Sequence, residues 1–141
     1  MSVATYNRSL SKTEYVNAIR ELNVNIARIV MNKPKKYRQN YGDAIIKSAL
    51  EALKFAQTAN DVFVKNGMPV SDKALRRTML IKAKGAIDNV GTASEIFLDL
   101  CKSQDGEDKA KILKQEQYIG GATFDIKRLL TAVIKSDEER T

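Results

Sequence analysis

Arg28, Lys33, Lys35, Lys36 and Arg38 form a run of cations with no carboxylate among them, and Tyr37 and Tyr41 lie beside it. A second cluster, Lys73, Arg76, Arg77, Lys82 and Lys84, is opposed only by Asp72. Lysine and arginine neutralise phosphates and release their counterions, which gives salt-sensitive, largely sequence-independent binding to nucleic acid. The two tyrosines could stack on bases or close one end of a helical bundle. The plain alternative is a solvated helical surface, or a basic end facing the acidic stretch Asp88, Glu95, Asp99, Asp105, Glu107 and Asp108. A net charge of +7 and the presence of two clusters favour a polyanionic partner.

Catalytic chemistry has little to work with. The chain contains no histidine, so no Ser-His-Asp or Cys-His pair, HExxH zinc site or ExxH di-iron motif can be assembled. Cys101 is the single cysteine, which removes CxxC redox and zinc motifs and any internal disulfide. It extends the Leu80–Ile87 flank of an apolar stripe and reads as a small buried side chain. No GxxxxGK[ST] phosphate loop is present, and Gly120-Gly121 falls inside a helical pattern rather than after a strand. The expectation is a protein that is not an enzyme, with no cofactor and no metal site.

The elements that must display these cations are helices. Four stretches repeat their apolar residues at spacings of three and four, and none alternates as a half-buried strand does. Ser11-Lys12-Thr13-Glu14 reads as a capping box opening the first helix, whose stripe is Tyr15, Ile19, Leu22, Ile26 and Ile29. Asn32-Lys33-Pro34 ends it. The second helix starts between Arg38 and Asp43 and runs to about Val64, with Ile46, Ala49, Leu53, Ala56, Asn60 and Phe63 as its stripe. Alanines 49, 52, 56 and 59 invite close approach of a neighbour. Asn66-Gly67 is read as its left-handed cap. Ser71 or Asp72 caps the third helix, which carries Met79, Ala83, Ala86, Val90, Ala93, Phe97 and Leu100 until Ser103-Gln104-Asp105-Gly106 breaks it. The fourth, roughly 108–137, carries Ile112, Ile119, Ala122, Ile126, Leu129 and Val133. Its Gly120-Gly121 pair marks either a bend or, preferably, a closely packed backbone.

These lengths and short connections predict an all-α protein, an antiparallel up-and-down four-helix bundle. Residues 1–10 form a polar lead-in, 11–137 the bundle and 138–141 a tail. That topology sets the 33–37 and 102–107 loops at one end and the 66–71 loop at the other with the termini. Asn60, Glu116 and Thr123 are expected to make register-setting hydrogen bonds at stripe boundaries rather than a buried polar site. Val24, Leu50, Phe55, Val62 and Ile81, off or beside the main stripes, suggest lateral packing between subunits. With 43% hydrophobic and 29% charged residues the chain is not disordered by composition. No run reaches the ~18 apolar residues of a membrane span, and no secretory signal opens the chain. A cytoplasmic protein without membrane contact is expected.

Three segments carry a resemblance: MSVATYNRSLSKTEYVNAIREL at the start, KPKKYRQNYGDAIIKSALEALKFAQTAND over 33–61, and RLLTAVIKSDEER over 128–140. Together they make the chain resemble a four-helix-bundle family. It comprises proteins encoded in ribosomal RNA intervening sequences and the accessory variability determinants (Avd-like) of diversity-generating retroelements. The resemblance implies a ring-like homopentamer with a basic surface that binds a reverse transcriptase and RNA and/or DNA, without catalytic residues. Within the matching segments it points to Lys33, Lys35, Lys36, Arg38 and Arg128 as nucleic-acid-binding residues. Arg28, Lys73, Arg76, Arg77, Lys82 and Lys84 rest on charge alone. The acidic second half of the third helix departs from a uniformly basic surface.

Overall fold

A computed structural model describes residues 2–62, 67–104 and 106–140, with side chains described for 13–62, 67–104 and 106–139. Its elements are α1 (Ser2–Met31), the short α2 (Lys35–Tyr37), a π-helical turn (Arg38–Gly42), α3 (Asp43–Asn60), α4 (Val70–Lys102) and α5 (Lys109–Arg140). No strand occurs among the described residues. No helix among them is long and apolar enough to cross a membrane.

Four long helices pack in a closed cycle: α1 against α3, α3 against α4, α4 against α5, and α5 back against α1. The α3–α4 seam is the most extensive, and the sequence explains why. The inward face of α3 is Ile45, Ala49, Ala52, Ala56 and Ala59, all buried. Four methyl-sized side chains in a row let the α4 backbone come close, and α4 fills the space with Leu80, Ala83, Ile87, Val90 and Phe97. Tyr15, Ile19, Leu22 and Ile26 of α1 and Ile112, Ile119, Ile126 and Leu130 of α5 complete the core.

Several boundaries and faces differ from the expectation. Helix α1 begins at Ser2, so residues 2–10 continue the first helix rather than leading into it. The Ser11 side chain lies outside the described ones. In α3 the buried row is shifted from the expected one, leaving Ile46 and Leu53 half-buried on its flank. Close fit along the alanines outweighs burial of the larger side chains. In α4 the expected Ala83, Ala86, Val90 and Phe97 are buried together with the flanking Leu80, Ile87, Leu98 and Cys101, while Met79, Ala93 and Leu100 are half-buried at the edge.

Helix α3 ends at Asn60, and Gly67 takes its left-handed conformation (φ 78°) farther along the connection. Phe63, Val64 and Asn66 lie outside the described residues, as does Asp105 in the next connection. Pro69 rather than Ser71 or Asp72 precedes the first turn of α4; its carbonyl accepts from Asp72 N and Lys73 N, both at 3.1 Å. Proline is tolerated there because the N–H it lacks is not one the helix would use, while its carbonyl still accepts the first helical bonds. Asp108 caps α5: its Oδ1 accepts from Lys111 N at 3.1 Å.

The Gly120-Gly121 pair is exposed, and a Cβ built on either would meet nothing within 4 Å. No backbone among the described residues packs on it, contrary to the close approach expected. Crowding is found instead at Gly42, closing the π-helical turn. A Cβ there would stand 2.7 Å from Cγ1 of Val30.

Hydrogen bonds between helices hold the register. Asn23 Nδ2 donates to Ile19 O at 2.9 Å and across to Ala49 O at 2.8 Å. Asn25 Nδ2 donates to the Tyr118 hydroxyl at 2.6 Å, joining α1 to α5. Tyr15 donates more weakly to Asn60 Oδ1 at 3.4 Å. Glu116 pairs with Lys102 at 2.8 Å, while Thr123 stays within its own helix, donating to Ile119 O. The interhelical bonding expected of Asn60 and Glu116 is present; that of Thr123 is local.

Candidate nucleic-acid interface

The first basic run occupies the end of α1, α2 and the π-helical turn. Pro34 (φ −56°, ψ 138°) redirects the chain after α1, and its carbonyl accepts from Tyr37 N and Arg38 N. That short turn buries Tyr37 and leaves Lys35 and Lys36 exposed. The Lys36 ammonium sits 4.9 Å from the Tyr37 ring centroid, a cation–π distance. Arg28 and Tyr41 are exposed. Tyr37 therefore closes the bundle end, and Tyr41 is the tyrosine of this run with an accessible ring.

Arg38 is half-buried. Its Nη1 donates to Met31 O at 3.4 Å, while its enclosed Nε has no hydrogen-bond partner. Lys35, Arg38, Gln39 and Asp43 line one cleft of about 240 Å³ between the end of α1 and the start of α3, with Met31 and Ile46 on its apolar side.

Charge alone puts Lys33 and Arg76 among the surface cations; the structure buries both. Lys33 is 7% exposed and donates to Gln115 Oε1 at 2.7 Å. Burial pushes its ammonium below the usual lysine range, against the pull of Cys101 and Glu107. Cys101 is itself buried, which raises its thiol pKa and leaves it a packed apolar group rather than a nucleophile. Lys33 thus lies beside the acidic 107–108 connection. At this spot the basic end does meet the acidic loop.

Arg76 is 8% exposed and ties three helices together. Its Nε donates to Asp137 Oδ2 at 2.6 Å, and its Nη1 donates to Ala59 O at 3.0 Å and Val62 O at 2.9 Å. Ala59 O already accepts from Val62 N at 3.1 Å, and the guanidinium reaching from α4 adds a second donor to it and one to the Val62 carbonyl just past the end of α3. Arg77 is exposed but bonded to Glu138 at 2.6 Å. Both sit where α4 opens and α5 closes.

The remaining candidates are more open. Lys73 and Lys84 are half-buried; Lys82 is exposed, 5.8 Å from the Phe55 ring centroid. Arg128 is exposed, 5.8 Å from the ring of Phe124, itself 58% exposed. Lys127 beside it is bonded to Asp88 at 2.7 Å. Val24, Leu50 and Ile81 are exposed as expected, whereas Phe55 and Val62 are half-buried.

The structure brings Lys35 and Arg38 to one cleft and leaves Lys36 and Arg28 on neighbouring surface. The Arg76–Arg77 pair lies at the opposite end of α3, which at ~1.5 Å per residue is some 27 Å long. The cleft is the feature that charge counting misses. Its signal in the sequence is the glycine at 42, four residues past Arg38. Comparison with protein-family models, curated proteins and solved structures finds no match.

Proposed function

We propose that this chain is a non-enzymatic, nucleic-acid-binding accessory protein that associates with a reverse transcriptase of a diversity-generating retroelement. It would work in the cytoplasm as a homo-oligomer, a pentamer by family likeness, on an antiparallel up-and-down four-helix bundle. The observation that carries the reading is the basic end formed by Arg28, Lys35, Lys36 and Arg38, where no ion pair to a carboxylate occurs among the described residues. Support for the topology comes from pairs such as Tyr15–Asn60 with Asn23–Ala49, and Arg76–Asp137 with Lys102–Glu116. In each set one partner's number rises as the other's falls. Support for assembly comes from the exposed Val24, Leu50, Ile81 and Phe124.

A structural or protein–protein interaction module is the competing reading. It is favoured by Lys33, Arg76 and Arg77 being engaged within the chain and by those same exposed apolar side chains. Filter binding of single-stranded RNA across a salt series separates the two. Phosphate contact predicts affinity that falls steeply with salt, and the double variant Lys35→Glu, Lys36→Glu should lose at least about tenfold, ~1.4 kcal/mol. Affinity unchanged by salt and by both substitutions would leave the interaction module standing.

A further inference from the structure

We propose that the cleft beside the π-helical turn is a ribose-phosphate subsite for RNA, in which Arg38 and Lys35 hold the phosphate and Asp43 accepts from the ribose 2′-hydroxyl. The inference rests on the nucleic-acid reading and names what one part of that surface would take.

The argument begins with the turn. π-helical turns are rare and recur at functional sites. This one depends on Gly42, because any side chain there would strike Val30. The chain therefore holds an irregular backbone at a place where two cations and a carboxylate share a cleft. Lys35, Arg38 and Gln39 stand three and four residues apart, close enough to form one wall. Asp43, opening α3, adds the carboxylate.

Size comes next. At about 240 Å³ the cleft falls below the ~300–1,000 Å³ of pockets that enclose drug-sized ligands. It suits one sugar-phosphate unit, with the base left outside near Met31, 67% exposed.

Donor chemistry points the same way. Met31 O holds one arm of the Arg38 guanidinium at Nη1. The Nε–Nη2 edge is the fork that grips phosphate oxygens in pairs, and here Nε is a buried donor with no acceptor. An unsatisfied buried donor is destabilising, and an anion at the fork would give it an acceptor. Asp43 would oppose a bare phosphate ion. Beside a ribonucleotide its acceptor-only oxygens match the 2′-hydroxyl, the group that distinguishes RNA from DNA.

The test is fluorescence anisotropy with a single-stranded RNA twelve-mer and its DNA counterpart, on the full chain. The variants are Arg38→Lys, Lys36→Gln and Asp43→Asn, each checked for helix content by circular dichroism. Arg38→Lys keeps the charge and removes the fork, so RNA affinity should fall about tenfold (~1.4 kcal/mol), and by more than in Lys36→Gln. Asp43→Asn removes a negative charge, so DNA should bind more tightly while RNA gains little. The preference for RNA should then drop several-fold.

Wild-type binding by Arg38→Lys, or equal shifts for RNA and DNA in Asp43→Asn, would overturn the subsite. If Arg38→Lys loses helix content, the Asp43→Asn ratio decides alone. Salt-sensitive RNA binding that ignores both substitutions would sink the subsite and leave the broader reading intact. Absence of binding to either polymer at low salt would remove both.

Discussion

Lys33 shows how little a charge in the sequence says about where that charge ends up. Its position in an acid-free run suggests a phosphate contact, yet it is enclosed at the junction of α1, α4 and α5 with Gln115 as its partner. Because burial lowers its folded pKa, the unfolded chain holds this proton more tightly than the folded one. Stability is therefore reduced at neutral pH, and the penalty fades as pH climbs from the lowered folded value through the ordinary lysine range. Comparing urea denaturation of the wild type with Lys33→Met isolates the effect. The wild type should gain on the variant between neutral pH and about pH 11; a constant difference across that range would contradict it. The cationic clusters were legible in the sequence, but the fate of each member was not. Lysine and arginine stems are apolar enough to bury. What decides burial is an acceptor far along the chain, 82 residues away for Lys33 and 61 for Arg76.

Periodicity identified the four long helices, and it erred where volume rather than polarity selects the face. In α3 both the Ile46–Leu53 line and the alanine line have helical spacing, and the tighter fit against α4 selects the alanines. Sequence likewise suggests a crowded glycine pair at 120–121; the structure leaves that pair open and shows crowding at Gly42, which the apolar repeat does not single out. Substitution to alanine distinguishes them. At Gly120 or Gly121 nothing stands within 4 Å of the new methyl, and each change should stabilise by about 0.5–1 kcal/mol through helix propensity. Gly42→Ala must displace Val30 and should destabilise by about 1–3 kcal/mol. Chemical denaturation of the three variants measures both signs. The π-helical turn itself was not legible, since one extra residue per turn leaves no mark in an apolar repeat.

On the scale of the whole molecule, charge is sorted by end. Around Arg76, opposite charges from α4 and α5 are joined in ion pairs; at the other end Lys102 pairs with Asp99 and Glu116, while Lys35 and Lys36 stay exposed beside a cleft. That the chain is all-helical, with four long helices packed together, was readable from composition and spacing. The sorting was not, because it depends on which helix termini meet.

The Arg76 clasp also bears on how the bundle is put together in time. It joins carbonyls at the end of α3 to the closing turn of α5, so it cannot form until α4 and α5 are both in place. A contact that waits on the last helix is expected to lie outside the folding nucleus, where a substitution acts mainly on the unfolding rate. Arg76→Met should therefore leave the refolding rate nearly untouched. Removing one partner of a buried pair costs about 3–5 kcal/mol, and that loss should appear as an unfolding rate faster by about a hundredfold or more. Stopped-flow refolding and unfolding limbs give the answer, and equal slowing of refolding would place the clasp in the folding nucleus instead. On the expected outcome the bundle, closed by a final handshake, would owe its lifetime rather than its speed of formation to one guanidinium.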